Sequence, residues 1–503
     1  MKNNSVKEIV ILGGGTAGWM AASLLAKRFN KQISFTLIES QQIGIIGVGE
    51  ATVPWIRTFI EELDISEQEF ILATNASFKL GIEFVDWYKI GTRYFHPFAP
   101  FGTSIAKTSF HHYWAKLRSQ GHASSIDHYS IATELAKANK FALPKSFENQ
   151  PDAARFNYAF HFDAALFAKL LQKKALALGV NHLEGTASQI TQDTTSGNLV
   201  SIKLDSGQEI HGDFFIDCSG FRGVLIEETL HTGYEDWSQW LPCDRALALP
   251  SSHTNTVIES YTESRAKLAG WQWRIPLQHR IGNGYVYSSE FISDDEAAHS
   301  LVQSVGGRCL ADPKKIKFTT GIRKKTWNKN VFSLGLASGF LEPLESTSIY
   351  LIQFGLETLF NYFPGSSEDF APLANKANRL MRENMYLLRN FLILHYHLNQ
   401  REGEPFWDYC RHMFIPGSLK ERMEDFKYTG NISLGDADFF KLNSWLAIFS
   451  GYDFVPEYWH PKINVFSEAE LKQELANIKS AIQTAANNAP DHAEFLQKNN
   501  LIR

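Results

Sequence analysis

The chain has 503 residues, 44% hydrophobic and 20% charged, with a net charge of −5 at neutral pH. That composition supplies an ample core and excludes a disordered chain, and the scattered Lys and Arg residues exclude the electrostatic footprint of a nucleic-acid or anionic-membrane binder. Cys218, Cys243, Cys309 and Cys410 form no CxxC pair, so neither a metal site nor a disulfide framework is expected and a cytoplasmic location fits.

Residues 8–12 (EIVIL) form a buried-strand run, followed by a glycine turn, a helical pattern from Thr16 to about Phe29 and a second strand from Ile33 to Ile38. This is the opening of a βαβ unit. The segment from Gly44 to Pro54 is too glycine-rich for a helix and too apolar for a solvated linker, and is expected to be a loop packed on a ligand. Residues 160–180 read as helix, and Leu199–Leu204 and Gly212–Asp217 as strands returning to the first lobe. The second of these leads into DCSGF at 217–221. Residues 245–320 alternate as an antiparallel sheet does, and carry WQWRIP at 271–276. From Ser346 to about Cys410 the pattern is helical, interrupted near Pro364 and Gly365. The apolar run Phe391–Leu394 is far shorter than the ~20 residues of a membrane span.

Gly13, Gly15 and Gly18 satisfy G-x-G-x-x-G between a strand and a helix, the context in which that pattern is informative. The first glycine permits the tight turn, the second the approach of a pyrophosphate, and the third close packing of helix on strand. The helix start at Thr16 and Ala17 then presents free amides to the phosphates. Glu39, at the end of the second strand, is placed to accept hydrogen bonds from ribose hydroxyls. On this motif alone FAD and NAD remain open. A turn with no ligand is the competing reading, and strand, helix and acid together weigh against it. No second such motif appears, so a reductant domain for NAD(P)H within the chain is not expected.

Five segments then occur in order: GGGTAGWMAA at 13–22, GVGEATVP at 47–54, FKLGIEF at 78–84, WQWRIP at 271–276 and FLEPLESTS at 340–348. Together they resemble the flavin-dependent halogenases of the tryptophan halogenase family, from the N-terminus to beyond residue 400. The resemblance implies an α/β fold: a Rossmann-type, flavin monooxygenase-like FAD box with an inserted antiparallel sheet, over residues 1–345 with noncontiguous lobes, and a mainly helical substrate-binding region over 346–503. It also implies FAD used as FADH2, with O2 and halide as cosubstrates, and a separate NAD(P)H-dependent flavin reductase as partner. In the family a C4a-hydroperoxide is attacked by halide, and hypohalous acid travels through a tunnel to the substrate.

Residue by residue, Lys79 matches the catalytic lysine, either as a cation that hydrogen-bonds hypohalous acid or as a neutral amine that forms a haloamine. Glu345 matches the essential acid, with Ser346 beside it. Trp271, Trp273 and Pro276 match the flavin and tunnel motif, and Gly47 to Ala51, with Gly49 and Glu50, the strap over the flavin ring. Ala187, Leu336 and Ile349 are weaker candidates for FAD contacts. Thr347 and Ser348 at a helix start are candidates for a halide cradle. The family has Gly where this chain has Ser348, so a positive φ there would strain the pocket and bear on the choice between chloride and bromide.

Each of these residues also has a structural reading. The two tryptophans are core on one strand face, Lys79 a surface cation, and Glu345 and Ser346 the first turn of a helix. An electrophilic reagent calls for an electron-rich arene, which His96, Phe98, Phe101, Trp445, Phe449 and Tyr452 would clasp if they converge. The stretch NSWLAIFSGYDFVPEYW at 443–459 lacks the adjacent Tyr pair of free-tryptophan enzymes, which favours an indole or indole-bearing molecule. His395 and His397 face different sides of a helix and read as structural. A monomer or a homodimer is expected, with no nucleic-acid or membrane partner. The competing functions are an aromatic monooxygenase, favoured by DCSGF, and a flavin-binding protein without turnover.

Overall fold

The computed structural model describes residues 5–40, 49–148, 154–254, 257–365 and 370–502. The chain divides into two units, each assembled from three separated segments: Met1–Ala76, Phe162–Ser238 and Phe318–Tyr386 form one, and Ser77–His161, Gln239–Lys317 and Leu387–Arg503 the other.

The first unit is built on a six-stranded sheet ordered 327–328, 331–333, 214–217, 8–12, 34–39, 181–184. Strand Glu8–Leu12 lies between Ser34–Glu39 and Phe214–Asp217, parallel to both, which buries Ile9 to Ile11 almost completely. Parallel strands covered on both faces read as continuous apolar runs, and EIVIL does. Helix Thr16–Phe29 makes the crossover. Helices Ala164–Ala177 and Ser348–Asn361 pack against it. Leu199–Leu204 does not join this sheet. It pairs antiparallel with Ala187–Gln192 and Glu209–His211, and Leu199, Ile202 and Leu204 bury against Val10, Leu12 and Phe215.

The helical expectation for 160–180 is corrected at its start. Ala159–Asp163 is a buried strand, and Asp163 caps the helix that follows by accepting from the amides of Ala165 and Leu166. The run AFHF is buried at every position and shows no apolar–polar alternation that marks a face, so periodicity alone cannot separate strand from helix there. Gly49–Ala51 is likewise strand where a loop is expected, while residues 41–48, including Gly47 of the strap, lie outside the described residues.

The second unit carries a seven-stranded sheet ordered 314–317, 245–251, 281–287, 270–276, 262–267, 81–85, 93–97. Strand Gly270–Pro276 is central and pairs antiparallel with Ile281–Tyr287 and Thr262–Lys267. The unit also holds helices from each of its three segments, among them Phe110–Ser119, Asp294–Ser304, Gly417–Thr429 and Leu442–Gly451. The division falls within the long helix Ala371–His397 and not ahead of residue 346, because helix Ser348–Asn361 packs on the glycine-turn helix and on Ile56–Glu62.

Candidate functional site

In the first unit, the glycine turn has the geometry its spacing predicts. Gly13 has φ +118°, and a Cβ there would lie 2.2 Å from the Cys218 carbonyl oxygen. A Cβ on Gly18 would lie 1.8 Å from the Gly13 carbonyl oxygen. These two glycines let strand, turn and helix close on one another. Gly15 differs: among the described residues no atom lies within 4 Å of its Cβ position, so the space above it is open. It is the N-cap of the helix, its φ and ψ are extended, no side chain caps it, and no acid stands in the first turn. An uncapped helix start leaves its first amides without intrahelical partners, the feature that favours an anion. Thr16 and Ala17 are half-buried on that turn.

Glu39 ends its strand beside the turn, its carboxylate against Gly14, where a Cβ would collide with it, and its Oε1 lies 2.8 Å from Nε2 of His182. Sequence reasoning missed the role of Gly14, and also Gly335. Gly335 has φ +61° and packs on the methyl of Ala17, which sets Leu336 next to the turn. No spacing signal marks Gly335. Ala187 packs at the edge of the core cluster beneath the sheet. DCSGF is a structural cap: Asp217 accepts from the amides of Ser219, Leu225 and Ile226 and from Ser219 Oγ, at 2.5–2.9 Å. Burial pushes its carboxyl up, and these donors oppose the shift.

Glu345 and Ser346 are buried at the end of a short 3-10 turn, Pro343–Glu345. Thr347 is the N-cap of helix Ser348–Asn361, which starts without a side-chain cap or a first-turn acid. Ser348 is the first helical residue, so the strain that a positive φ would impose there does not arise, and the positive φ of this segment falls on Ser346, at 59°. The chain must reverse from the 3-10 turn into the helix, and Ser346 makes that reversal. Ile349 is buried one residue on.

In the second unit, Lys79 ends strand Ser77–Lys79 and is completely buried. The surface-cation reading is excluded. Its Nζ lies 5.2 Å from the centre of the Phe98 ring, within cation–π reach. Phe78 turns to the other strand face, stacked on Phe141 at 4.0 Å and edged by Tyr158 and Phe495. Trp271 and Trp273 share a face of the central strand, their rings 6.2 Å apart. Trp273 has room because its cross-strand partner is Gly284, where a Cβ would meet the indole at 2.0 Å. The indole N–H of Trp273 is buried, with no hydrogen-bond partner among the described residues. Pro276 closes the strand, and its carbonyl accepts from Ser77 Oγ at 2.6 Å.

Of the aromatic candidates, His96, Trp445 and Phe449 form one buried chain of rings through Phe391 and Phe440, two residues sequence reasoning missed. Phe391 and Phe440 stack at 3.9 Å. Arg422 lies over Trp445 at 4.7 Å and pairs with Asp438. Phe101 is buried, and the Tyr452 hydroxyl donates to the His395 carbonyl at 2.6 Å. His395 and His397 are structural: the first bonds the Phe391 carbonyl, and burial holds the second below the ordinary imidazole range. Among the described residues no cluster of ligands fit for a metal occurs, and no helix is long and apolar enough to cross a membrane.

The profile of the tryptophan halogenase family matches residues 8–468. Among curated proteins the chain is 32% identical to tryptophan 6-halogenase ThaL of Streptomyces albogriseolus, covering 99% of both chains. Among solved structures it is similar to BrvH, a flavin-dependent halogenase from Brevundimonas sp. BAL3, at 39% identity, 99% coverage of each chain and a TM-score of 0.95. It is also similar to Xcc4156, a flavin-dependent halogenase from Xanthomonas campestris, at 42% identity, 98% coverage of each and a TM-score of 0.94. With the open glycine turn, the buried lysine and the buried Glu345, these relationships establish that the chain belongs to the tryptophan halogenase family of flavin-dependent halogenases.

Proposed function

We propose that the enzyme halogenates an electron-rich arene, an indole or a larger indole-bearing molecule in preference to free tryptophan, with chloride or bromide, and that a separate NAD(P)H-dependent reductase delivers its reduced flavin. The observation that carries this reading is Lys79, a primary amine held out of water over an aromatic ring. A lysine is almost never fully buried unless it is paired, and one buried within a halogenase motif is a candidate for chemistry.

Gly13, Gly15, Thr16, Ala17, Gly18 and Glu39 would hold the ADP half of FAD, with Gly49, Glu50, Ala51, Leu336 and Ile349 as further contacts; the open space at Gly15 fits a pyrophosphate. Reduced flavin, when bound, supplies the two electrons that let O2 oxidise halide to hypohalous acid. Lys79 acts on that acid, donating an N–H when charged and forming a haloamine when neutral. The uncapped start of helix Ser348–Asn361, with Thr347 and Ser348, supplies amides for halide. Glu345 takes the proton that the arene loses, so that arene and hypohalous acid give haloarene and water. Phe98 keeps water from Lys79, and Trp271 and Trp273 keep the arene from the flavin.

The preference against free tryptophan rests on helix Leu442–Gly451 and the segment C-terminal to it, where Trp445 and Phe449 offer apolar rings and no adjacent tyrosines stand ready for an ammonium and a carboxylate. Incubation with FAD, a flavin reductase, NADH, bromide or chloride, and indole is expected to give haloindole, recognised by its isotope pattern. Lys79→Ala is expected to abolish it. Equal product from the variant, or oxygenated product independent of halide, would overturn the assignment.

A further inference from the structure

Four buried polar side chains of the second unit surround the strand of Lys79 without a role in the chemistry above: Ser77, His161, Thr262 and His492. Ser77 stands opposite His161 in the register of the lysine strand with residues 159–161. Its hydroxyl donates to the Pro276 carbonyl at 2.6 Å and lies 3.2 Å from Nδ1 of His161. Nε2 of His161 lies 2.9 Å from the Thr262 hydroxyl. The amide of Phe78 donates to Nε2 of His492 at 3.3 Å, and Nδ1 of that ring lies 2.8 Å from the Ile258 carbonyl.

These contacts fix where the protons are. Ser77 has one hydroxyl proton and gives it to Pro276, so Nδ1–H of His161 is the donor to Ser77 and Nε2 accepts from Thr262. His492 accepts an amide proton at Nε2, so its Nδ1–H donates to Ile258. Both rings are neutral Nδ1–H tautomers. Burial pushes both below the ordinary imidazole range, His492 to about 4, and Lys79, when charged, acts on His161 in the same direction. A protonated His161 would present a second donor to Thr262 and force that hydroxyl to turn.

Satisfied polar groups are the rule in a core, and that alone would make these residues ornamental. The chain positions argue otherwise. Ser77 is two residues from Lys79, and the carbonyl it holds ends the strand of Trp271 and Trp273. One hydroxyl therefore ties the lysine strand to the tryptophan strand, and one imidazole sets the direction of that hydroxyl. We propose that His161 is a positioning residue for halogenation: through Ser77 it fixes the Lys79 strand to the Pro276 end of the tryptophan strand, and so fixes where the Lys79 amine meets hypohalous acid. The inference rests on the role given to Lys79 above.

The test compares wild type with His161→Leu, His161→Asn, Ser77→Ala and Lys79→Ala, using FAD, a flavin reductase, NADH, bromide and indole. It reads kcat, KM for indole, and the hypobromous acid that escapes to an added diketone scavenger. Asparagine sets an amide N–H where Nδ1–H stood and keeps the bond to Ser77. His161→Leu is expected to lower kcat at least tenfold with KM within twofold and to raise the escaping fraction severalfold, and His161→Asn to restore most of both. Ser77→Ala, the smaller change, should show the signature of His161→Leu and serves in its place where the leucine variant does not fold. The proposal is overturned when neither variant raises escape, or when asparagine does no better than leucine while Lys79→Ala is inactive. Wild-type turnover by Lys79→Ala would instead overturn the role of Lys79 itself, a separate result.

Discussion

Ser346 carries the one departure from easy backbone geometry in the FLEPLESTS segment, a φ of 59° at a buried residue. The left-handed region costs an L-residue with a Cβ roughly 1 kcal/mol, which glycine avoids. Ser346→Gly and Ser346→Ala both delete the hydroxyl and differ in this strain. The glycine variant is expected to be the more stable by about 1 kcal/mol in urea denaturation, and equal stability would mean that the turn relaxes. Gly284 shows the same economy in the opposite sense, since it leaves room for the Trp273 ring. Gly284→Ala is expected to displace the indole and cost about 1–3 kcal/mol, with a matching change in tryptophan fluorescence and a loss of halogenation.

The helix Thr16–Phe29 owes its function to its first turn. Gly13 and Gly18 are closed positions, each with a carbonyl where a side chain would go, and Gly15 is open. Substitution separates folding from binding within a single turn. Gly15→Ala is expected to leave the melting temperature of the flavin-free protein unchanged and to weaken FAD at least tenfold in a fluorescence titration, about 1.4 kcal/mol, because the methyl occupies the space of the pyrophosphate. Gly13→Ala is expected to lower the melting temperature as well. Unchanged FAD affinity in Gly15→Ala would place the phosphates elsewhere.

At the scale of the molecule, burial of histidine couples stability to pH. His111 donates from Nε2 to the Gly430 carbonyl at 2.7 Å, and its buried Nδ1 has no partner among the described residues. Burial, with the neighbouring His112, holds its pKa down to about 4. Such an imidazole takes up its proton more readily once unfolded, so its contribution to stability is complete above a pH of about 6.5 and is lost as pH falls from there towards 4. The full window amounts to about 3 kcal/mol for this one group. Glu83, Asp127 and Asp217, pushed up by burial, act in the opposite sense in the carboxylate range, so the effect is read by difference. His111→Gln keeps a donor for Gly430 and removes the titration. Urea midpoints measured from pH 7 to pH 4.5 are expected to fall more steeply for wild type than for this variant, and parallel curves would show that His111 takes up its proton equally in the folded and unfolded chain.

The βαβ opening was legible because its signals are local: a buried apolar run, three glycines at fixed spacing and an acid at the end of the next strand. The antiparallel sheet around WQWRIP was legible for the same reason, since side-chain alternation has a period of two residues. The family was legible in five short motifs whose order survives in the chain. What the sequence could not carry is whatever depends on distant segments meeting. The strand at 159–163 is hidden inside an apolar run, Gly335 matters only because Ala17 packs on it, and the ring chain from His96 to Phe449 passes through Phe391 and Phe440, far from His96 in the chain. The sequence alone determined that the chain opens with the glycine turn of a dinucleotide site and that a lysine and a glutamate stand in the motifs of a halogenase. Only the tertiary structure decided that Lys79 is sealed from water, that Ser346 and not Ser348 bears the backbone reversal, and that Ser77 and His161 brace the lysine strand, because burial, φ and hydrogen-bond partners are set by contacts between residues tens to hundreds of positions apart.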